Sequence, residues 1–275
     1  MNLNTITALR RPGSADEVAD WRAGYAWLGG GTWLFSEPQP GTDTLIDIEQ
    51  LGWRSLEPRP DGLVVGATCR IAELHSFEGP SEWTALPLLR QCCDSFLASF
   101  KIWNAATVGG NVCMSLPAGP MISLTTALEG ICTLWPRGGA AREVAVQDFV
   151  TGNHLNVLRP GELLRSIRLP AAALRKRTAF RHFSLTKIGR SAALLIGSLG
   201  SGGDLRLTVT AATDRPMVLN FPTIPSAAEL RETIETQISD GRWFDDVHGS
   251  AAFKRHITGY FAEQIRTELA EGAPA

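Results

Sequence analysis

A chain of 275 residues, 44% of them hydrophobic, is long enough to bury a sizeable core as one large domain or two ordinary ones. Its 26 basic and 28 acidic side chains leave a formal net charge of −2, so there is no basic footprint for nucleic acid. The five cysteines, Cys69, Cys92, Cys93, Cys113 and Cys132, are odd in number and apolar in context, which points to buried free thiols rather than a disulfide framework, an iron–sulfur site or a metal site.

The first residues lack the charged start and long apolar run of a signal peptide. No stretch reaches the roughly 18 apolar residues of a membrane span, so a cytoplasmic protein is expected. Residues 12–23 read as a short first helix, with Ser14 placed to cap it and Glu17 three residues on. Trp27 and Leu28 make a short strand that feeds three glycines, Gly29, Gly30 and Gly31, followed by Thr32 and Trp33. Residues 44–48 supply another strand, giving a small α/β lobe. Residues 63–67 alternate as a strand, 70–77 look helical, and 86–99 hold a helical pattern with Leu88, Leu89, Cys92 and Phe96 on related faces. That helix leads into a second glycine run, Ala106, Thr107, Val108, Gly109, Gly110 and Asn111. Residues 117–127 begin another helix, and 131–135 and 142–146 pair as strands across a break at Gly138 and Gly139. Asp148 and Phe149 open a loop, and 163–169 alternate as a strand.

From residue 173 the character changes. Arg175, Lys176, Arg177, Arg181, Lys187 and Arg190 form a basic stretch, read as a solvated face or as a surface for partner subunits or cofactor phosphates. Residues 194–199 and 205–211 flank a glycine-rich hairpin turn at 200–203. Residues 229–239 and 251–269 are amphipathic helices, and 271–275 a frayed tail.

The two glycine runs carry the chemistry. Glycine serves where backbone turns sharply or lies against something with no side chain between. Thr107 and Asn111 flank their pair with a hydroxyl and an amide, both able to bond a phosphate or a ribityl hydroxyl. Consecutive N–H groups in such a turn can form an anion-binding concavity; the plain alternative is a tight turn between two core segments. Neither run matches G-x-G-x-x-G or G-x-x-x-x-G-K-[ST]. Two glycine turns, each with a neighbouring hydroxyl residue, suit a ligand with two phosphates lying across both. The histidines His75, His154, His182, His248 and His256 are scattered, and no G-x-S-x-G occurs, so the chain offers no acid–base or nucleophilic constellation of its own.

These motifs resemble those of the FAD-binding, medium subunit of the molybdenum hydroxylases, the family of xanthine dehydrogenase and carbon monoxide dehydrogenase. The family's A-G-G-T-x-L is matched by Gly29, Gly30, Gly31, Thr32, Trp33 and Leu34, and its A-T-x-G-G-N by residues 106–111. Further matches follow in order over some 250 residues: Leu45-Ile46-Asp47-Ile48 with Leu51, Asp61-Gly62 with Val65-Gly66-Ala67, Pro160-Gly161-Glu162-Leu163-Leu164, and Asp245-Asp246 with Ser250 and Phe253-Lys254-Arg255. The resemblance implies an α+β fold: a two-lobed FAD-binding domain of the vanillyl-alcohol-oxidase/PCMH type over residues 1–172, with lobes of about 1–52 and 53–172. A smaller α+β domain of the CO dehydrogenase flavoprotein type, built on an antiparallel sheet, would follow over 173–275.

The same resemblance implies that FAD is held by Leu28, Gly29, Gly30, Gly31, Thr32, Trp33, Ala106, Thr107, Val108, Gly109, Gly110, Asn111, Leu164 and Lys187. It implies a small partner subunit with [2Fe–2S] clusters, a large molybdopterin subunit that sets the substrate, and an acceptor such as NAD or oxygen. A heterotrimer, possibly doubled, is expected, with the partner covering the face at 100–103 beside the second glycine run. The chain departs from the family in one place. Where the family has P-x-x-D, whose aspartate binds the ribityl chain, this chain has Pro117, Ala118, Gly119 and Pro120. That departure is the sole support for the alternative, a structural subunit that has lost FAD.

Overall fold

The computed structural model describes residues 3–18, 20–96, 98–136, 140–186 and 189–271. Three short strands, β1 (Ala8–Arg10), β2 (Tyr25–Leu28) and β3 (Thr44–Asp47), form a parallel sheet in the order β1-β3-β2. The central strand β3 is buried along its whole length, as a parallel strand with neighbours on both edges must be. The helix expected over 12–23 is only a single 3-10 turn, Ala15–Val18. The amphipathic pattern failed because Trp21 is drawn into an aromatic cluster instead, its ring 4.7 Å from Trp27 and 5.7 Å from Tyr25.

A five-stranded antiparallel sheet follows. After β4 (Leu56–Arg59) and β5 (Gly62–Gly66) come the helices α1 (Ile71–His75), α2 (Pro87–Asp94), α3 (Phe100–Trp103), α4 (Val108–Met114) and α5 (Pro120–Ala127). Then come β6 (Ile131–Trp135), β7 (Arg142–Ala145), α6 (Val146–Phe149), the small hairpin β8 (Val150–Gly152) and β9 (Leu155–Asn156), β10 (Leu163–Pro170) and α7 (Ala171–Leu174). The sheet order is β4-β5-β10-β6-β7. Its inner face is set by period-two burial, with Leu63, Val65, Cys132, Leu134, Ile167 and Leu169 in one core with α2, α4 and α5. Asp148 and Phe149, expected to open a loop, belong to α6, where Phe149 is fully buried. The glycines at 138 and 139 lie outside the described residues.

The last unit is an antiparallel sheet β11-β12-β13-β14, from β11 (Arg177–Ser184), β12 (Ser191–Leu199), β13 (Leu205–Thr210) and β14 (Met217–Phe221), with the expected hairpin between β12 and β13. Helices α8 (Ala227–Gln237) and α9 (Ala251–Glu271) pack on it. A Cβ at Gly197 of β12 would lie 2.3 Å from Ile265 of α9, so glycine lets the helix sit close on the sheet. Every residue of α5 is buried, because it is covered by α2 and α4 on one side and by β12 and β13 on the other. A helix buried all round carries no amphipathic stripe. The larger core therefore includes Leu194, Ile196 and Ala211 of the last sheet.

Candidate functional site

The first glycine run is the loop that leaves β2. Gly30 packs main chain to main chain: a Cβ there would stand 1.7 Å from the Ala105 carbonyl oxygen. Gly31 has φ of +69°, in the left-handed region, and a Cβ there would meet the Phe35 ring at 2.6 Å. Leu28, which ends β2, is buried beside this loop. The loop is thus pressed against the residue that precedes the second glycine run, and the two motifs meet. A Cβ at Gly29 would lie 3.2 Å from the Thr107 hydroxyl oxygen. The loop's strand is fixed from the other side, where Trp27 Nε1 donates to the Glu162 carbonyl at 3.0 Å. The Glu162 carboxylate is itself buried and accepts from Arg142 Nε at 2.9 Å and Nη2 at 2.6 Å, and from the Arg159 N–H at 2.8 Å. Those bonds, Arg142 first, hold the Glu162 carboxyl below the usual carboxylate range.

The second glycine run is not a turn but the start of α4. Thr107 is its N-cap, and Thr107 Oγ1 accepts from the Gly110 N–H at 3.0 Å. Four successive N–H groups find protein acceptors here: Val108 to Cys69 O at 2.8 Å, Gly109 to Ala67 O at 3.0 Å, Gly110 to Thr107 Oγ1, and Asn111 to Thr107 O at 3.0 Å. The N–H concavity expected of this run is therefore absent. Its donors tie α4 to the end of β5. The free donors are in the first loop: among the described residues, no main-chain N–H from Gly29 to Leu34 donates to a protein acceptor.

Between the motifs lies a cavity of about 540 Å³. Leu28 and the Gly29–Leu34 loop line one side; Ala106, Thr107, Gly110 and Asn111 line another. Phe96, Ile102, Leu116 and the segment Ala118, Gly119 and Pro120 close it, with Arg190 and Ser191 at the start of β12. The Thr107 oxygen already accepts from Gly110, which leaves its proton as a donor. Asn111 Oδ1 accepts from the Met121 N–H at 3.1 Å, which fixes the amide. Gly110 presents an open α-carbon, since a Cβ there would meet only Thr107 Oγ1, at 2.8 Å.

Three expected site residues do not line this cavity. Val108 is buried in the core behind it, and Leu164 is buried in β10. Gly109 is glycine for packing, because a Cβ would stand 2.6 Å from both Cβ and O of Ala67. Lys187 lies outside the described residues. Sequence reasoning missed Phe96, Ile102 and Arg190. Only Arg190 had a signal, as the last cation of the basic stretch. Cys113 also lines the cavity, and burial pushes its thiol up to about 12, which disfavours the thiolate there. A larger groove, about 820 Å³, lies between α8 and α9 and takes no residue from either glycine run.

Residues 5–172 match the model of the family described as FAD binding domain in molybdopterin dehydrogenase. The chain belongs to that family. As a member it is the flavoprotein subunit of an oxidoreductase. It is similar to the carbon monoxide dehydrogenase medium chain of Afipia carboxidovorans, 26% identical over 234 residues, which cover 78% of this chain and 77% of that one. It is also similar to caffeine dehydrogenase subunit beta of Pseudomonas sp. strain CBB1, 29% identical over 194 residues, 67% of this chain and 61% of the relative. The fold is shared with a chain of quinoline 2-oxidoreductase from Pseudomonas putida 86, with a TM-score of 0.80 at 19% identity over 99% of both chains. It is shared equally with a chain of the Cu,Mo-CO dehydrogenase, with a TM-score of 0.79 at 21% identity over 98% of both. Two observations independent of the match fit the family's cofactor: the run of free N–H donors at 29–34 suits a diphosphate, and the bare α-carbon of Gly110 leaves room for a ligand to lie against main chain.

Proposed function

We propose that the chain holds one FAD in the cavity between the two glycine runs and serves as the electron-transfer subunit of a molybdopterin-dependent hydroxylase. The observation that carries this is the junction of the two runs, where a loop whose N–H groups find no protein acceptor among the described residues lines one cavity together with Thr107 and Gly110. The donors of 29–34 bind the diphosphate, Thr107 and Asn111 hold hydroxyl or phosphate oxygens, and Arg190 contributes positive charge. Phe96, Ile102, Trp33 and Leu116 exclude water from the ring system. Pro120 stands where the family's aspartate would be and lines the cavity, so the ribityl contact falls to other groups. FAD when bound supplies the redox chemistry that no side chain here supplies.

In this reading electrons arrive from [2Fe–2S] clusters on a small partner subunit, a large subunit carries molybdopterin and chooses the substrate, and an external acceptor takes the electrons. The FAD-binding unit is residues 1–172 and the C-terminal unit 173–275. Exposed apolar surface at α3 supports a partner at this end of the cavity: Phe100 is 71% exposed, and Ile102, which also lines the cavity, is 37% exposed. Co-expression with genes encoding candidate small and large subunits, followed by size-exclusion chromatography, tests the assembly. A complex containing all three chains is expected. A chain that runs alone and oxidises a small substrate unaided rules the subunit reading out.

A further inference from the structure

A second cavity, of about 280 Å³, shares a wall with the first: Trp33, Leu116, Ala118 and Arg190 line both. Its own lining differs in kind. His154, His248 and Arg190 bring three groups able to donate hydrogen bonds to an anion, and Trp33 and Phe244 bring ring faces. The one carboxylate there, Asp246, is already engaged. The fully buried Lys254 donates from Nζ to Asp246 Oδ1 at 2.9 Å, and the His248 N–H donates to the same oxygen at 2.8 Å. Arg190 has no carboxylate partner among the described residues.

His154 is held in this wall at a conformational cost. Its φ is +58°, in the left-handed region, and its N–H donates at 2.9 Å to the carbonyl of Ser115, itself at φ of +53°. Asn156 Nδ2 donates to Cys113 O at 2.8 Å and to Ser115 Oγ at 3.3 Å, so the loop is fastened to the C-terminal end of α4. The other end of α4 carries the second glycine run. The His154 ring lies 5.7 Å from the Trp33 ring. Non-glycine residues kept in this region of backbone space concentrate at sites of function.

We propose that this cavity binds a small planar organic anion of the aromatic-carboxylate class, with Arg190 and the two histidines facing the carboxylate and Trp33 and Phe244 facing the ring. Small-molecule sites begin at about 300 Å³, so the volume suits a single ring system and not a dinucleotide. An anion bound here lies one indole ring from the first cavity, the position a small electron acceptor would need. That last point rests on the FAD reading; the anion site itself does not.

Calorimetric titration of the purified full chain with benzoate, and with its neutral analogue benzamide, tests the proposal, with flavin content measured on the same sample. One benzoate per chain is expected. Benzamide, and benzoate added to His248→Ala or His154→Asn, should bind about tenfold or more weakly, the size of losing a charge-assisted hydrogen bond. His248 and His154 line only the second cavity, so flavin content should be unchanged in both variants. A flavin-free chain that binds benzoate in a His248-dependent way supports the anion site while sinking the FAD reading. A flavin-loaded, folded chain that shows no saturable benzoate binding, or equal binding of benzamide, overturns the anion site and leaves the FAD reading standing.

Discussion

Gly109 and Gly110 are adjacent in sequence and opposite in role, so alanine at each should separate stability from cofactor binding. At Gly109 the new Cβ would stand 2.6 Å from both Cβ and O of Ala67, and no flexible side chain is there to move aside. Overpacking against backbone falls in the upper part of its usual range, about 2–3 kcal/mol, and the better helix propensity of alanine offsets about 1 kcal/mol. A net loss of about 1–2 kcal/mol lowers the melting temperature by about 2–8 °C in a chain of this size. At Gly110 the Cβ meets only the Thr107 cap, at 2.8 Å. Weakening a cap costs about 1 kcal/mol, and the propensity gain cancels it, so the stability of the flavin-free protein should hardly change. The methyl group would instead project into the cavity. The assay is a pair of measurements: thermal unfolding of flavin-stripped protein, and flavin retained after purification. Gly109→Ala should lower the first, and Gly110→Ala the second. The branched Gly110→Val should abolish flavin binding while the C-terminal sheet stays folded. Full flavin content in Gly110→Val, or an unchanged melting temperature in Gly109→Ala, would refute the reasoning.

Gly30→Ala should detach the first loop, because its Cβ would overlap the Ala105 carbonyl at 1.7 Å; limited proteolysis should find new cleavage at 29–36, and an intact loop would contradict the packing. Glu162→Gln should cost about 2–3 kcal/mol, toward the lower end for breaking a largely buried ion pair because Arg142 keeps some solvent contact, as read by denaturant unfolding. The Glu162 carboxyl is depressed in the folded state, so its contribution is present above its unfolded value and is lost as pH falls from there through the folded value. The wild type should therefore lose stability in acid more steeply than Glu162→Gln; parallel pH profiles would count against the assignment. Lys254→Met should destabilise the turn that carries Asp246 and His248 by about 1–3 kcal/mol, with faster amide exchange there than in β12 as the check.

Much of this was legible from residue pattern. The strands at 25–28, 44–47, 62–66 and 131–135 announced themselves by apolar runs bounded by glycine or polar residues, and the hairpin at 200–203 by its glycines. The helix expected over 12–23 had a capping serine, yet only a 3-10 turn forms there, because Trp21 packs on Trp27 and Tyr25 of the strand that follows, a competition the cap signal does not record. The glycine runs were visible, yet which glycine faces a ligand and which faces backbone was not. Gly109 and Gly110 look alike in sequence, and only the approach of Ala67 distinguishes them. Likewise two N–H donors of the second run, those of Val108 and Gly109, go to Cys69 and Ala67, some forty residues earlier in the chain, and those of Gly110 and Asn111 go to Thr107, so the run that looks richest in donors has them already engaged. Phe96 and Ile102 line the cavity through the fold alone, with no motif to mark them.

The most direct test is the flavin itself. The chain is purified with its partners, its ligand is released by heat, and the ligand is identified and counted by chromatography. One FAD per chain is predicted, lost in Gly110→Val. A native complex that carries no FAD would contradict the account.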